Sequence, residues 1–271
     1  MERTVLGFRP KRSLGQIFLK SDRIAQRMVD ALDIKRDENV LEIGAGKGII
    51  TKRLAPIAKR VYAVEIDERL IENLKEETRE FGNVEIINED ILKLDLSSFD
   101  RVKIIGNIPY SLTTPLLFKL FKSREIWEKM VLTLQKEFAE RILSPPNTKR
   151  YGSITIAVRL YTEAQKLFSI PPPFFSPCPK VSSSSLLFIK RKKPLVEVKD
   201  EDFFFRVVRA SFTYRRKFLS NGLKSTFGLT PSQLSDIQKI TGIDLKRRAE
   251  TLTVEEFGEL ANTISSIIQS G

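Results

Sequence analysis

Asn107, Ile108, Pro109 and Tyr110 follow the apolar run RVKIIG and bring together an amide, a fixed stretch of backbone and a phenol ring. Proline locks its own φ and biases Ile108 toward extended backbone, so the carbonyl before the ring points in a defined direction. That carbonyl and the Asn107 side-chain oxygen make two acceptors that converge on one point. Their complement is a planar amine with two N–H groups.

The exocyclic amine of adenine is such a group, and it is a poor nucleophile because its lone pair is delocalised into the ring. Two acceptors holding its hydrogens favour a tetrahedral nitrogen whose lone pair faces an electrophilic methyl, which is positioning with some electrostatic help. Tyr110 offers a flat face to a base drawn out of its stack, worth about 1–3 kcal/mol. The competing reading is a turn with a half-buried tyrosine. The chain has no histidine, and Cys178 is its only cysteine. Imidazole catalysis, an intrachain disulfide and a cysteine-rich zinc site are therefore excluded, and no metal is expected.

Further ligand-type residues come earlier in the chain. LEIGAGKG sets Gly44, Gly46 and Gly48 at a strand-to-helix turn, where backbone approaches a ligand closely and N–H groups face it. Glu65 ends the next strand about twenty residues on, where a carboxylate accepts hydrogen bonds from both ribose hydroxyls of a nucleoside cofactor. Asp90, in NEDIL, ends a third strand and could accept from an adenine amine or cap a turn. Three strand ends of this kind mark the edge where open parallel sheets bind ligands. They do not distinguish NAD from S-adenosylmethionine.

The elements that position these residues alternate from Asn39 onward. NVLEIG, RVYAVEI, VEIIN, RVKIIGN and EKMVLTLQ read as strands. A helix after the glycines, DERLIENLKEETREF, PLLFKLFKS and KEFAERIL read as helices. Near-continuous apolar strands between helices predict a doubly wound, Rossmann-like α/β domain with a parallel sheet. Residues 163–190 add two strands around PPPFFSPCPKV. After KRKKP the pattern changes to helical spacing in EDFFFRVVRASF, RRKFLSNGLKSTF and TVEEFGELANTISSII. The expected division is an α/β domain over 1–193, with a basic N-terminal arm, and a small helical domain over 194–271.

Forty-six Lys and Arg against thirty-four Asp and Glu leave a net charge of +12. That excess favours an anionic partner, nucleic acid first. Lys11, Arg12, the KRKK run, Arg215, Arg216, Lys217, Arg247 and Arg248 form clusters suited to phosphate tracking. Arg215–Lys217 are expected to open a helix. No stretch approaches the roughly 18 apolar residues of a membrane helix, and a cytoplasmic location is expected.

In order, LEIGAGKG, VEID, NED, GNIPY, LQKEFAERI, YGSITI and FFSPCPKVSSS resemble the ribosomal RNA adenine dimethyltransferase family, from about Lys11 to Asn262. NIPY with F-x-P-x-P-K-V is the specific part. The resemblance implies S-adenosylmethionine-dependent N6 dimethylation of two adjacent adenosines in the 3′-terminal hairpin loop of small-subunit rRNA, during subunit biogenesis. It implies that Leu19, Gly44, Glu65, Asp90 and Asn107 bind the cofactor, with Gly46, Ile66 and Ile91 beside them. Phe175 would stack on the target adenine opposite Tyr110, whereas the residues alone read equally as an aromatic core plug in a Pro-rich loop. The helical domain would dock on the subunit within a pre-ribosomal particle, the enzyme acting as a monomer. Where the family usually has Asn in GQxFL, this sequence has Ile17. A backbone contact to the cofactor would survive that change and a side-chain contact would not. The alternatives are a large-subunit methyltransferase of the antibiotic-resistance type, or an assembly factor that acts mainly by binding.

Overall fold

The computed structural model describes residues 10–269, the side chain of Arg12 excepted. The chain divides into two compact units, Met1–Ala139 with Ala164–Lys190, and Glu140–Glu163 with Arg191–Gly271. The division departs from a single break after residue 193, because residues 140–163 group with the C-terminal segment. Local bonds explain this. Arg215 donates to the carbonyls of Lys149 (2.6 Å) and Tyr151 (3.1 Å), the Tyr151 and Phe212 rings lie 6.3 Å apart, and the Arg191 amide donates to the Tyr161 carbonyl.

The strands are β1 (Phe18–Leu19), β2 (Asn39–Ile43), β3 (Arg60–Val64), β4 (Val84–Ile87), β5 (Val102–Asn107), β6 (Trp127–Gln135), β7 (Thr162–Ile170), β8 (Phe175–Ser176) and β9 (Ser183–Lys190). Seven of them form one sheet in the order β4-β3-β2-β5-β6-β9-β7, while β1 and β8 pair separately. The five strands β4 to β6 in that order run parallel, and β9 joins β6 antiparallel. From β2 the chain steps outward to β3 and β4, then returns to the other side of β2 for β5 and β6. The C-terminal ends of β2 and β5 therefore form the topological switch point, the position where such sheets open a crevice.

A helix absent from the expected elements, Asp22–Leu32, covers one face of the sheet. Ser21 caps it by accepting from the Ile24 amide at 3.4 Å. Ile24, Ala25, Met28, Val29 and Leu32 share one stripe and pack with Val40, Val61, Ile105, Val131 and Leu187 of the strands. The helix expected directly after the glycines is only Thr51–Leu54. Three successive positive-φ glycines, 44, 46 and 48, hold the chain in a loop and delay the helix start.

The second unit contains helices Ser153–Tyr161, Glu201–Thr213, Leu219–Phe227, Pro231–Thr241 and Val254–Gln269. Their caps are legible residue by residue: Asp200 accepts from the Phe203 amide, and Thr230 with Gln233 forms a capping box around Pro231. Phe204, Val207, Leu219, Leu223, Phe257 and Leu260 are buried in this unit. Arg215, Arg216 and Lys217 do not open a helix. Tyr214 leaves helical geometry (φ −117°, ψ 65°), and the three cations occupy the turn before Leu219.

Candidate active site at the switch point

The ends of β2 and β5 are held unusually close. Ile43 and Gly106 are register partners, and a Cβ on Gly106 would lie 2.6 Å from the Ile43 carbonyl oxygen. Only glycine permits this approach, and it brings the loop after β2 and the tetrapeptide after β5 to a common cleft. Lining that cleft are Ile17, Leu19, Gly44, Gly46, Glu65, Ile66, Asp90, Ile91 and Asn107, every residue expected to contact a cofactor. Pro109 lines it as well.

The glycine loop is built around carboxylates. Gly44 and Ala45 donate to the Val64 carbonyl, and the Gly46 amide donates to Glu65 Oε2 at 2.9 Å. The other Glu65 oxygen accepts from the Asp67 amide at 2.9 Å. Burial pushes the Glu65 carboxyl upward, and these backbone donors oppose the shift. Glu42, an acid inside the apolar run of β2, is 1 % exposed and accepts from Thr51 Oγ1 at 2.6 Å. Its burial raises the carboxyl to about 8, against that hydrogen bond. Glu42 also lines the cleft. Sequence reasoning passed over it, although an acid flanked by Leu41 and Ile43 was a visible signal. Asp90 Oδ1 accepts from the Leu92 amide at 2.9 Å, which leaves its second oxygen for a ligand.

At the end of β5, Asn107 Nδ2 donates to the Ile17 carbonyl at 2.6 Å. The amide orientation follows: the donor end is occupied, and Oδ1 remains as an acceptor. Ile108 is 2 % exposed and anchors the tetrapeptide in the core, while its amide donates to the Thr133 carbonyl. The half-buried Tyr110 pairs its hydroxyl with Ser183 Oγ at 2.9 Å, which restrains the ring.

The sequence that builds this cleft has a match along nearly the whole chain: residues 7–266 fit the model of the ribosomal RNA adenine dimethylase family. The chain belongs to that family. A Streptococcus pyogenes relative, ribosomal RNA small subunit methyltransferase A, is 42% identical over 272 residues, covering 96% of this chain and 94% of the relative. A dimethyladenosine transferase from Plasmodium falciparum superposes with a TM-score of 0.77 at 28% identity, over 90% of this chain and 95% of that one. A 23S rRNA methyltransferase superposes with a TM-score of 0.70 at 24% identity, over 92% and 99%, and shares the fold.

For a dimethylase, one expectation needs correcting. Phe175 is not presented to the cleft: it is 1 % exposed and packs in the core with Leu19 and Ile170. Pairing of β8 with β1 sets Phe175 opposite Leu19, so strand alternation turns Phe175 inward and Ser176 outward. Its neighbour Phe174 is 42 % exposed.

The expected RNA contacts also separate. Arg247 is engaged within its own unit by a bidentate pair with Glu256 and a 2.7 Å bond to the Thr251 carbonyl. Arg215 is held by the two carbonyls already named, and Lys11 lies 3.5 Å from Asp67. Arg216, Lys217 and Arg248 are exposed, and Tyr214 and Phe218 flank the first two as exposed aromatics. The side chain of Arg12 lies outside the described residues. No described helix is long and apolar enough to cross a membrane.

Proposed function

We propose that this chain transfers methyl groups from S-adenosylmethionine to N6 of two adjacent adenosines in the 3′-terminal loop of small-subunit rRNA. Asn107 carries the reading: its oriented amide stands at the switch point beside the glycine loop and Glu65. S-adenosylmethionine, when bound, supplies an electrophilic methyl.

The cleft fits such a cofactor. Glu65 is fixed by backbone donors and suits ribose hydroxyls, while the glycine loop leaves room for close backbone approach. Asp90 and Ile91 suit an adenine ring, Asp90 accepting from its amine and Ile91 packing on its face. Asn107 Oδ1 and the Ile108 carbonyl accept the two hydrogens of the target amine, so its lone pair is freed toward the methyl. The proton released on methylation leaves to water, since no imidazole is present. Tyr110, steadied by Ser183, shelves the flipped base.

The second unit docks on the RNA through its exposed cations, with Arg216 and Lys217 tracking phosphates and Tyr214 and Phe218 available to unpaired bases. We place the enzyme as a monomer acting on a pre-ribosomal small subunit in the cytoplasm.

The test incubates the chain with labelled S-adenosylmethionine and unmethylated small subunits, then maps the modified nucleosides. Dimethyladenosine at two adjacent positions near the 3′ end is expected. Label confined to large-subunit rRNA, or no label where the cofactor binds, overturns the proposal.

A further inference from the structure

The segment before helix Asp22–Leu32 walls the cofactor cleft with Ser13, Leu14, Gln16, Ile17, Phe18 and Leu19. Its C-terminal end is anchored by the pairing of β1 with β8. Its other end is held by a side chain with no part in the chemistry proposed for the cleft. Asp67 has a fully buried carboxylate, and its Oδ2 accepts from Gln16 Nε2 at 2.7 Å and from Arg69 Nη2 at 2.6 Å. Gln16 Oε1 in turn accepts from the Lys11 amide at 2.7 Å. Both ends of the Gln16 amide are thus committed, and it cannot rotate without losing a bond.

Capping of the helix that follows needs only the bond from the Arg69 amide to Asp67, so the contact with Gln16 is additional. What lies next to Gln16 gives it a consequence. The carbonyl of Ile17 receives Asn107 Nδ2 and thereby decides which end of the Asn107 amide faces the target. Were this strap to shift, the amide could turn and present a donor to an amine whose hydrogens need acceptors. The Asp67 amide also holds Glu65, so a single residue fixes the ribose acid through its backbone and the strap through its side chain.

We propose that Asp67 and Gln16 form a latch that positions the N-terminal strap and, through the Ile17 carbonyl, the Asn107 amide. Both are positioning residues for methyl transfer, an inference that rests on the proposed function. The latch acts on affinity because the strap is a wall of the cleft. It acts on turnover because the strap orients Asn107.

Gln16→Glu sets a second carboxylate against Asp67 and opens the latch. Adding Asp67→Asn restores one donor and one acceptor toward position 16 with the polarity reversed, while the exposed Arg69 keeps its Nε bond to Oδ1 and turns Nη2 to solvent, and asparagine still caps the helix. In the full-length protein, Gln16→Glu is expected to raise the calorimetric Kd for S-adenosylmethionine about tenfold and to lower kcat at saturating cofactor about tenfold. Amides of residues 13–19 exchange faster even without cofactor, while Tm stays within a few degrees. The double variant recovers most of both losses. The latch is overturned if Gln16→Glu binds and turns over as wild type, or if the double variant has a normal Tm and recovers neither. Wild-type affinity for the cofactor tests the proposed function separately, and strap exchange in the cofactor-free protein tests the latch whatever the reaction.

Discussion

The switch-point cleft and the helical unit use charge in opposite ways. Around the cleft the acids Glu42 and Glu65, and Asp67 behind its wall, are buried, and each has a named donor: Thr51, the Gly46 and Asp67 amides, and Gln16 with Arg69. In the helical unit the cations divide into those bonded to their own fold, the exposed Arg215 and the half-buried Arg247, and the exposed Arg216, Lys217 and Arg248. On the proposed function, position decides in the first region, where one displaced oxygen changes chemistry, and number and exposure decide in the second, where phosphates accept any nearby cation. Mutations should fall into correspondingly different classes.

The sharpest break is at Asn107. Asn107→Ala removes the side-chain acceptor and should lower kcat by about 10²–10³-fold or more, in line with loss of one preorganised group at a reacting centre. RNA affinity should stay within a few-fold of wild type. Single-turnover methyl transfer and a filter-binding titration check both parts. Activity equal to wild type would remove Asn107 from the mechanism.

Glu42 tests whether burial rather than sequence type governs the cleft acids. Its folded carboxyl titrates at about 8 against an ordinary 4.5, so the folded state keeps a proton that the unfolded chain has released. The folded state binds more protons between these values, and stability from this group is present below pH 4.5 and declines as pH climbs to about 8. Thermal melts should show that decline, and Glu42→Gln should flatten it while keeping an acceptor for Thr51. A variant that retains the same pH slope would assign the proton elsewhere.

These acids also show what could be read from sequence. The order of strands and helices from Asn39 to Leu143 was legible, because parallel strands buried on both faces read as apolar runs and their helices carry stripes. The lining of the cleft was legible for the same reason: strand ends place Gly44, Glu65, Asp90 and Asn107 on one edge. What escaped depends on pairing across distance. Helix Pro231–Thr241 is absent from the expected elements, although Thr230, Pro231 and Gln233 spell a helix start. Between base platform and core plug, Phe175 takes the second place, because its direction is fixed by β8 pairing with β1, which the local motif does not encode. Tied and exposed arginines are also identical in sequence, and only partners such as Glu256 separate them.

That separation yields a prediction in stability rather than activity. Arg247→Met removes the bidentate pair with half-buried Glu256 and the bond to the Thr251 carbonyl. Partial burial raises the Glu256 carboxyl, and the Arg247 bonds and charge together with the Thr253 amide more than offset it, so the net shift is downward. The variant should lose about 1–3 kcal/mol of stability in chemical denaturation, because it leaves a partly buried acid with the Thr253 amide but without its charged partner. The salt dependence of RNA binding should not change.

Arg216 and Lys217 should give the complementary signature, with the smallest effect per residue. Both are exposed in the turn before Leu219, so truncation to alanine leaves the fold intact and Tm unchanged. Removing one cation from a phosphate lowers the slope of log affinity against log salt by about 0.7–0.9 and weakens binding a few-fold at moderate salt. Arg216→Ala and Lys217→Ala, titrated with small subunits at several ionic strengths, measure the slope directly. Two exposed cations that changed Tm and left the slope alone, or a tied Arg247 that changed the slope and left Tm alone, would break the comparison. Charge in the helical unit would then be sorted by something other than its bonds to the fold, and the turn would lose its claim to the RNA.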